Sequence, residues 1–174
     1  METVLVQVQS VLVTTAGRWL NLTDKIADDL LLRAPAPGEW SACDCLRHLL
    51  DTERDVFAVR LRAFMAGQDI PAFDPDTESH DYGDRTAFQL ADDFARHRSE
   101  NLAVLEQVGA LDLARTVQHS ELGPVTLAQL LHEWAAHDLM HTVQAERALM
   151  QPFIAGSGPW REYFRDYDVA LASA

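Results

Sequence analysis

Hydrophobic residues recur every three or four positions along four long stretches of this chain, a spacing that predicts amphipathic helices. The first stretch runs from about Val4 to Leu32. It stops in the segment 34–38, where proline removes backbone donors and glycine breaks the period. No alternation of apolar and polar residues is long enough to predict a strand. The predicted inward positions of this first helix are Leu5, Val8, Leu12, Thr15, Trp19, Leu22 and Ile26.

The second predicted helix begins at Ser41, a good N-cap residue with Asp44 three positions later, which approximates a capping box. It ends near Gly67. A polar connection over residues 67–85 follows, and it is longer than the usual link between adjacent antiparallel helices. The connection contains Pro71, Pro75 and Gly83, and the inward stripe of the helix comprises Cys45, Leu49, Val56 and Ala63.

The third predicted helix starts after Asp84 or Thr86 and stops at Gly109. After a break at residues 123–124, Thr126 caps the fourth helix, which ends around Pro152 and the loop 156–159. An amphipathic tail over residues 160–167 predicts a short fifth helix. The inward positions are Leu90, Phe94, Leu105 and Val108 on the third helix, and Leu127, Leu130, Trp134, Ala145 and Ala148 on the fourth.

The lengths of the connections predict how these helices are arranged. Two short links and one long crossover, between helices 2 and 3, fit an all-α four-helix bundle in which helices 2 and 3 run parallel. The chain of 174 residues is then a single domain, 1–174, with a short extra C-terminal helix.

Charge and composition exclude some classes of function. The formal net charge is −13, and 14 basic residues are scattered among 27 acidic ones, which argues against a nucleic-acid partner. No window of about 18 uninterrupted apolar residues predicts a membrane span, and the first residues lack the features of a signal peptide. Cys43 and Cys45 are too close for an ordinary disulfide, and we expect two small, buried or half-buried thiols in a reducing cytoplasm.

The candidate chemistry lies in the histidines that face inward. His137 and His141 are one helical turn apart, within about 40° of each other, on the arc that contains Trp134 and Ala145. Burying two imidazoles without partners costs on the order of 1–3 kcal/mol each. A shared divalent ion satisfies both rings. The alternative is that each ring hydrogen-bonds within the core.

A third histidine favours the metal. His48 lies at the margin of the inward stripe of the second helix, near Cys45 and Val56. One histidine facing a pair on another helix gives a three-histidine set, which is typical of sites that keep a coordination position open.

The other histidines are weaker candidates. His132 is about 140° from His137 and is predicted to face solvent. His80 and His119 fall in the connections. His97 shares an arc with the inward residues of the third helix, and it is a hydrogen-bonded boundary residue, a residue lining the pocket or a fourth ligand.

Three segments of the chain resemble the DinB/YfiT-like superfamily of bacterial metal-binding four-helix bundles. They are the runs 35–41 (Pro-Ala-Pro-Gly-Glu-Trp-Ser), 46–53 (Leu-Arg-His-Leu-Leu-Asp-Thr-Glu) and 137–141 (His-Asp-Leu-Met-His). The resemblance implies an up-down-down-up bundle with one divalent metal ion, zinc or nickel, on His48, His137 and His141. It further implies homodimers and, in some relatives, transfer of low-molecular-weight thiols or metal-dependent hydrolysis.

Two main hypotheses for function follow from these residues. In the first, the protein is an enzyme acting on a small molecule, with the metal activating water or a thiolate. Asp138 and Glu53 are then candidate partners that fix the tautomer of a ligating histidine, although each could equally form a surface salt bridge. In the second, the metal site is non-catalytic and serves a stress-associated or partner-binding bundle. A metal-free bundle with a histidine-lined core is the third alternative.

Overall fold

The computed structural model describes residues 2–74, 79–108 and 111–172. Most of these residues are helical, as the sequence predicted. The long helical segments are α1 (Glu2–Lys25), α3 (Ala42–Thr52) with its continuation α4 (Ala58–Ala66), α5 (Ala87–Val108) and α6 (Leu127–Gly156). The shorter elements are α2 (Asp28–Leu31), a π-helical turn (Glu53–Phe57), β1 (Thr116–His119), β2 (Gly123–Thr126), a 3₁₀ helix (Gly158–Tyr167) and α7 (Val169–Ala172).

Local sequence signals position the starts of two long helices. Ser41 and Asp44 form the reciprocal capping box at the start of α3, and Thr126 and Gln129 form one at the start of α6. The predicted first helix divides into α1 and α2 near Ile26. The predicted stop at Gly109 and the proline at position 75 lie outside the described residues. None of the described helices combines the length and the apolar composition that crossing a membrane requires.

The second long helix departs from regular geometry at its middle. The π-helical turn joins α3 to α4 without a break, because the residues at both of its ends keep right-handed helical angles. A π turn takes up about one extra residue and so rotates the face that follows it. This rotation corrects the predicted stripe: Ala63 is only half-buried, and Leu61 and Phe64 are fully buried in its place.

The expectation that no strand would form was wrong at one place. β1 and β2 form an antiparallel hairpin in which Val117 pairs with Val125. Ile70 adds an isolated bridge to His119 on the other side of β1. Each strand has only four residues, too few for an alternating pattern to be recognised in the sequence.

The core consists of two apolar clusters separated by a polar layer. Helix α1 packs against α5 and α6, and α3 packs against the same two helices. One cluster contains Trp19, Leu46 and Phe94, and the other contains Leu12, Phe57 and Trp134. Along each long helix, buried polar residues lie between the positions of the two clusters: Thr15, Glu53, Arg98, Asn101, Asp138 and Thr142.

Candidate metal centre

Three histidines meet beside this polar layer. His48 comes from α3, and His137 and His141 come from consecutive turns of α6. Their candidate ligand atoms all lie within 4.8 Å of one another. The Nε2 atoms of His48 and His137 are 3.0 Å apart. His141 is buried, while His48 and His137 are half-buried. The structure therefore brings together the three residues that the sequence analysis proposed as ligands.

The local sequence before His48 fixes the position of its helix. Ser41 Oγ accepts a hydrogen bond of 3.1 Å from the Asp44 amide, and an Asp44 carboxylate oxygen accepts one of 3.0 Å from the Ser41 amide. Trp40, just outside the cap, packs over the centre. Its ring centroid is 5.1 Å from that of His48, and it stacks on His141 at 5.6 Å with an interplanar angle of 22°.

The second nitrogen of the His141 ring determines which atom of that ring faces the centre. His141 Nδ1 lies 2.9 Å from Gln144 Oε1. An amide oxygen only accepts, so Nδ1 carries the proton and Nε2 keeps its lone pair. His137 Nδ1 is buried with no hydrogen-bond partner among the described residues. The His137 ring is instead held by an edge-on contact with Phe57 at 5.3 Å.

Burial keeps these imidazoles neutral. It lowers the pKa of His48 to about 4, with a further contribution from His141. It lowers the pKa of His137 to about 3, to which the neighbouring charges of His141 and His48 add. It also lowers the pKa of His141, against the opposing hydrogen bond to Gln144. Neutral imidazoles are the protonation state that binds a metal.

The donor set fits a divalent ion. A tetrahedral ion with metal–nitrogen distances of about 2.0–2.1 Å needs its ligand atoms about 3.3 Å apart. The 3.0 Å separation of His48 Nε2 and His137 Nε2 is close to that requirement. These three residues could hold one metal ion. Because a tetrahedral ion has four ligand positions, at least one of them would remain for a ligand other than these histidines.

Glu53 and Asp138 face a buried arginine rather than a histidine. Arg98 donates to the two Glu53 oxygens at 2.8 Å each, and to the two Asp138 oxygens at 2.7 and 3.0 Å. Glu53 also accepts from Asn101 Nδ2 at 3.0 Å and from Trp134 Nε1 at 3.3 Å. The expectation that these carboxylates orient a ligating imidazole is not met, because among the described residues neither side chain hydrogen-bonds to a histidine.

This network pairs one buried guanidinium with two buried carboxyl groups. Burial by itself would lower the pKa of Arg98, but the charges of Glu53 and Asp138 outweigh it and raise that pKa, so the guanidinium stays charged. Burial raises the pKa of Asp138 while Arg98 opposes the shift. The short hydrogen bonds from Arg98 to both Asp138 oxygens favour the carboxylate form.

The remaining histidines lie elsewhere. His97 is not part of the three-histidine group, and it lines a surface cleft with Arg54 and Asp93. His132 is exposed, as predicted. His80 Nδ1 lies 3.1 Å from Asp51 Oδ1, and His119 is buried on β1.

Two partners of the site were missed from the sequence. Gln144 lies three positions after His141, a spacing that places side chains together on a helix and could have indicated it. Arg98 interrupts the apolar stripe formed by Phe94 and Leu105, and a charged residue inside such a stripe signals a buried ion pair.

Comparison with models of known protein families gives a match over most of the chain. The sequence model of the DinB superfamily matches residues 12–145, which is more than half of the chain and includes all three histidines. The chain belongs to the DinB superfamily. A search of curated proteins found no match. The matched region of this DinB superfamily member also contains Glu53, Arg98 and Asp138, and it ends before the 3₁₀ helix.

Proposed function

We propose that this protein is a metal-dependent enzyme that holds one zinc or nickel ion on His48, His137 and His141 and acts on a small molecule. The reaction is either hydrolysis or the transfer of a low-molecular-weight thiol. The observation that carries the proposal is the convergence of three neutral imidazoles from two helices, with two of the rings half-buried and accessible. Three neutral ligands leave the charge of an ion uncompensated.

Each residue around the centre has a defined task in this proposal. A divalent ion bound there supplies Lewis acidity, which makes a water or a thiol available as a nucleophile near neutral pH. His48, His137 and His141 present lone pairs. Gln144 fixes the tautomer of His141, and Trp40 shields one side of the centre from water.

Metal analysis tests the first step of the proposal. Protein purified without a histidine tag or chelators, and loaded with zinc or nickel, should contain about one ion per chain by elemental analysis. His48→Ala and His141→Ala should lose that ion. His132→Ala should keep it, since His132 is exposed. Absence of stoichiometric metal in the unmutated protein would overturn the site.

Activity tests the second step. The metal-loaded protein is assayed for ester and amide hydrolysis and for transfer of bacillithiol or mycothiol to electrophiles. We expect the metal-loaded protein to show one of these activities. His48→Ala and metal-free samples of the unmutated protein should both lack it. Metal binding without any such activity would favour the alternative, a non-catalytic metal-binding protein.

We further propose that the four long helical segments form an up-down-down-up bundle. The packing of both α1 and α3 against α5 and α6, without comparable packing of α1 on α3, supports it.

A homodimer is proposed on the exposed apolar residues Leu139 and Val143, one turn apart on α6, with Val13 on α1. Light scattering should give twice the chain mass, and Val143→Glu should give a monomer. Two free, buried cysteines are in keeping with the proposed cytoplasmic location.

A further inference from the structure

A second pocket lies between α4, the hairpin and the first turns of α6, separate from the three histidines. Its volume is about 150 Å³. Ile70, Val125 and Leu130 form apolar walls, and Arg60 and Glu133 contribute charged groups. The pocket opens to solvent on the side of Leu122, which is 73% exposed. An apolar cleft with a few polar groups in its wall is the usual form of a small-molecule site.

Arg60 has unused hydrogen-bonding capacity in this pocket. Its side chain is only 13% exposed, yet its closest carboxylate oxygen, on Glu133, is 3.9 Å away. The fully buried Arg98 provides a comparison, because it donates to two carboxylates at 2.7–3.0 Å. A guanidinium carries five N–H donors, and among the described residues those of Arg60 have no comparable set of acceptors.

His119 does not supply the missing acceptor. Its Nδ1 accepts hydrogen bonds from the backbone amides of Glu121, at 3.2 Å, and Leu122, at 3.4 Å. A neutral imidazole whose Nδ1 accepts must carry its proton on Nε2. The 3.4 Å contact between His119 Nε2 and Arg60 Nη2 therefore joins two donors. Among the described residues, Arg60 thus has no acceptor within 3.5 Å, and its side chain lines the pocket.

The carboxylate of Glu133 restricts the kind of ligand that can bind to the N–H groups of Arg60. Its carboxylate oxygen stands 3.9 Å from Arg60, so the pocket presents a donor and an acceptor side by side with no net charge between them. A carboxylate ligand on Arg60 would be repelled by Glu133. A primary carboxamide satisfies both groups, because its oxygen accepts from Arg60 and its NH₂ donates to Glu133.

We propose that this pocket binds the primary carboxamide of a small aliphatic molecule between Arg60 and Glu133, with the aliphatic chain against Ile70, Val125 and Leu130. A space of about 150 Å³ holds the equivalent of about five water molecules, which corresponds to a short chain. The pocket shares no lining residue with the three-histidine group.

Titration with pentanamide, followed by amide chemical shifts in NMR, tests the proposal. We expect binding at about millimolar concentration for a ligand of this size. Pentanoate should bind at least about tenfold more weakly because of Glu133, and N,N-dimethylpentanamide should be weakened similarly because it has no N–H to donate. Equal binding of either compound, or no binding of pentanamide, would overturn the proposal.

Variants locate the binding site. Arg60→Met keeps the aliphatic stem and should weaken pentanamide binding at least about tenfold. Arg62→Met, at an exposed position on the same helix, is the matched control and should change nothing. Leu122→Trp, at a 73% exposed residue lining the pocket, should also weaken binding and is not expected to disturb folding. Unchanged binding in Arg60→Met or in Leu122→Trp would contradict the assignment.

The metal variant separates this site from the proposed function. His48→Ala should bind pentanamide as the unmutated protein does, whether or not the metal proposal holds. Loss of pentanamide binding in folded His48→Ala would contradict an independent pocket.

Discussion

His137 and Asp138 are consecutive residues whose side chains belong to two different buried groups. The His137 ring faces His48, with 3.0 Å between their Nε2 atoms, while Asp138 accepts two hydrogen bonds from Arg98. A helix turns about 100° per residue, so neighbouring side chains leave it in different directions. One turn of α6 thus anchors both the candidate metal centre and the ion network of the polar layer.

Arg98→Met should strongly destabilise the protein. The substitution leaves the Glu53 and Asp138 carboxylates buried, at 1% and 0% side-chain exposure, without their countercharge. Breaking a buried ion pair in this way costs about 3–5 kcal/mol. The free energy of unfolding in urea measures the effect.

Arg96→Met is the matched control for this substitution. Arg96 lies on the same helix but is 54% exposed, and its surface ion pairs are worth less than about 1 kcal/mol. Similar losses of stability in the two variants would contradict the importance of the buried network.

Zinc affinity should depend only weakly on pH near neutrality. Three imidazoles with the ordinary pKa of 6.5 would lose about 50-fold in affinity between pH 7.5 and 6.0, because protons compete for the lone pairs. Here the pKa values of His48 and His137 lie at about 4 and 3, so these rings stay neutral until the pH falls toward those values. We expect a decrease below about fivefold in competition titrations with a chelator. A decrease near 50-fold would show ordinary, solvated imidazoles.

Gln144→Leu should weaken metal binding. The substitution removes the acceptor at 2.9 Å from His141 Nδ1, which holds the Nε2 lone pair toward the centre. Loss of such a partner typically lowers metal affinity about 10- to 100-fold. Gln144→Glu keeps an acceptor oxygen and should retain affinity. Affinity that is the same in all three proteins would rule out this role.

Trp40 should report metal binding by fluorescence. Its ring stacks on His141 and also contacts His48, so an ion held by these histidines changes its surroundings. Trp40→Phe should abolish most of the emission change seen on adding zinc. Trp160→Phe, at a 65% exposed residue, should preserve it. A full response in Trp40→Phe would mean that the ion binds elsewhere.

Two glycines should respond to alanine in opposite directions. Gly67 ends α4 at φ +69°, and an added Cβ would lie 2.7 Å from Arg115 Nη2. Gly67→Ala should therefore cost about 1–2 kcal/mol. Gly17 lies inside α1 with no atom near an added Cβ, and Gly17→Ala should add about 0.5–1 kcal/mol. Thermal unfolding compares the two, and equal effects would contradict the backbone argument.

Local rules explain what could be predicted from the sequence. The capping boxes at Ser41 and Thr126 involve residues three positions apart, and the pairing of His137 with His141 needs only one helical turn. Such relationships are determined by helix geometry, so they do not depend on how the helices pack. The resemblance to the DinB superfamily then added His48, which spacing alone placed only at the margin of its stripe.

The partners of the buried charges could not be predicted in the same way. Glu53 lies 45 positions from Arg98, and the π-helical turn that begins at Glu53 changes the direction of every side chain after it. The hairpin that forms the second pocket joins Ile70 to a strand almost 50 residues later.

The sequence by itself determined the helices, their caps and the histidine pair on α6, because these depend on neighbours within a few residues. The tertiary structure alone decided that Glu53 and Asp138 bind Arg98, and that Arg60 and Glu133 line one pocket together. A buried charge takes the partner that packing brings within hydrogen-bonding distance, and that choice is made only when distant segments of the chain come together.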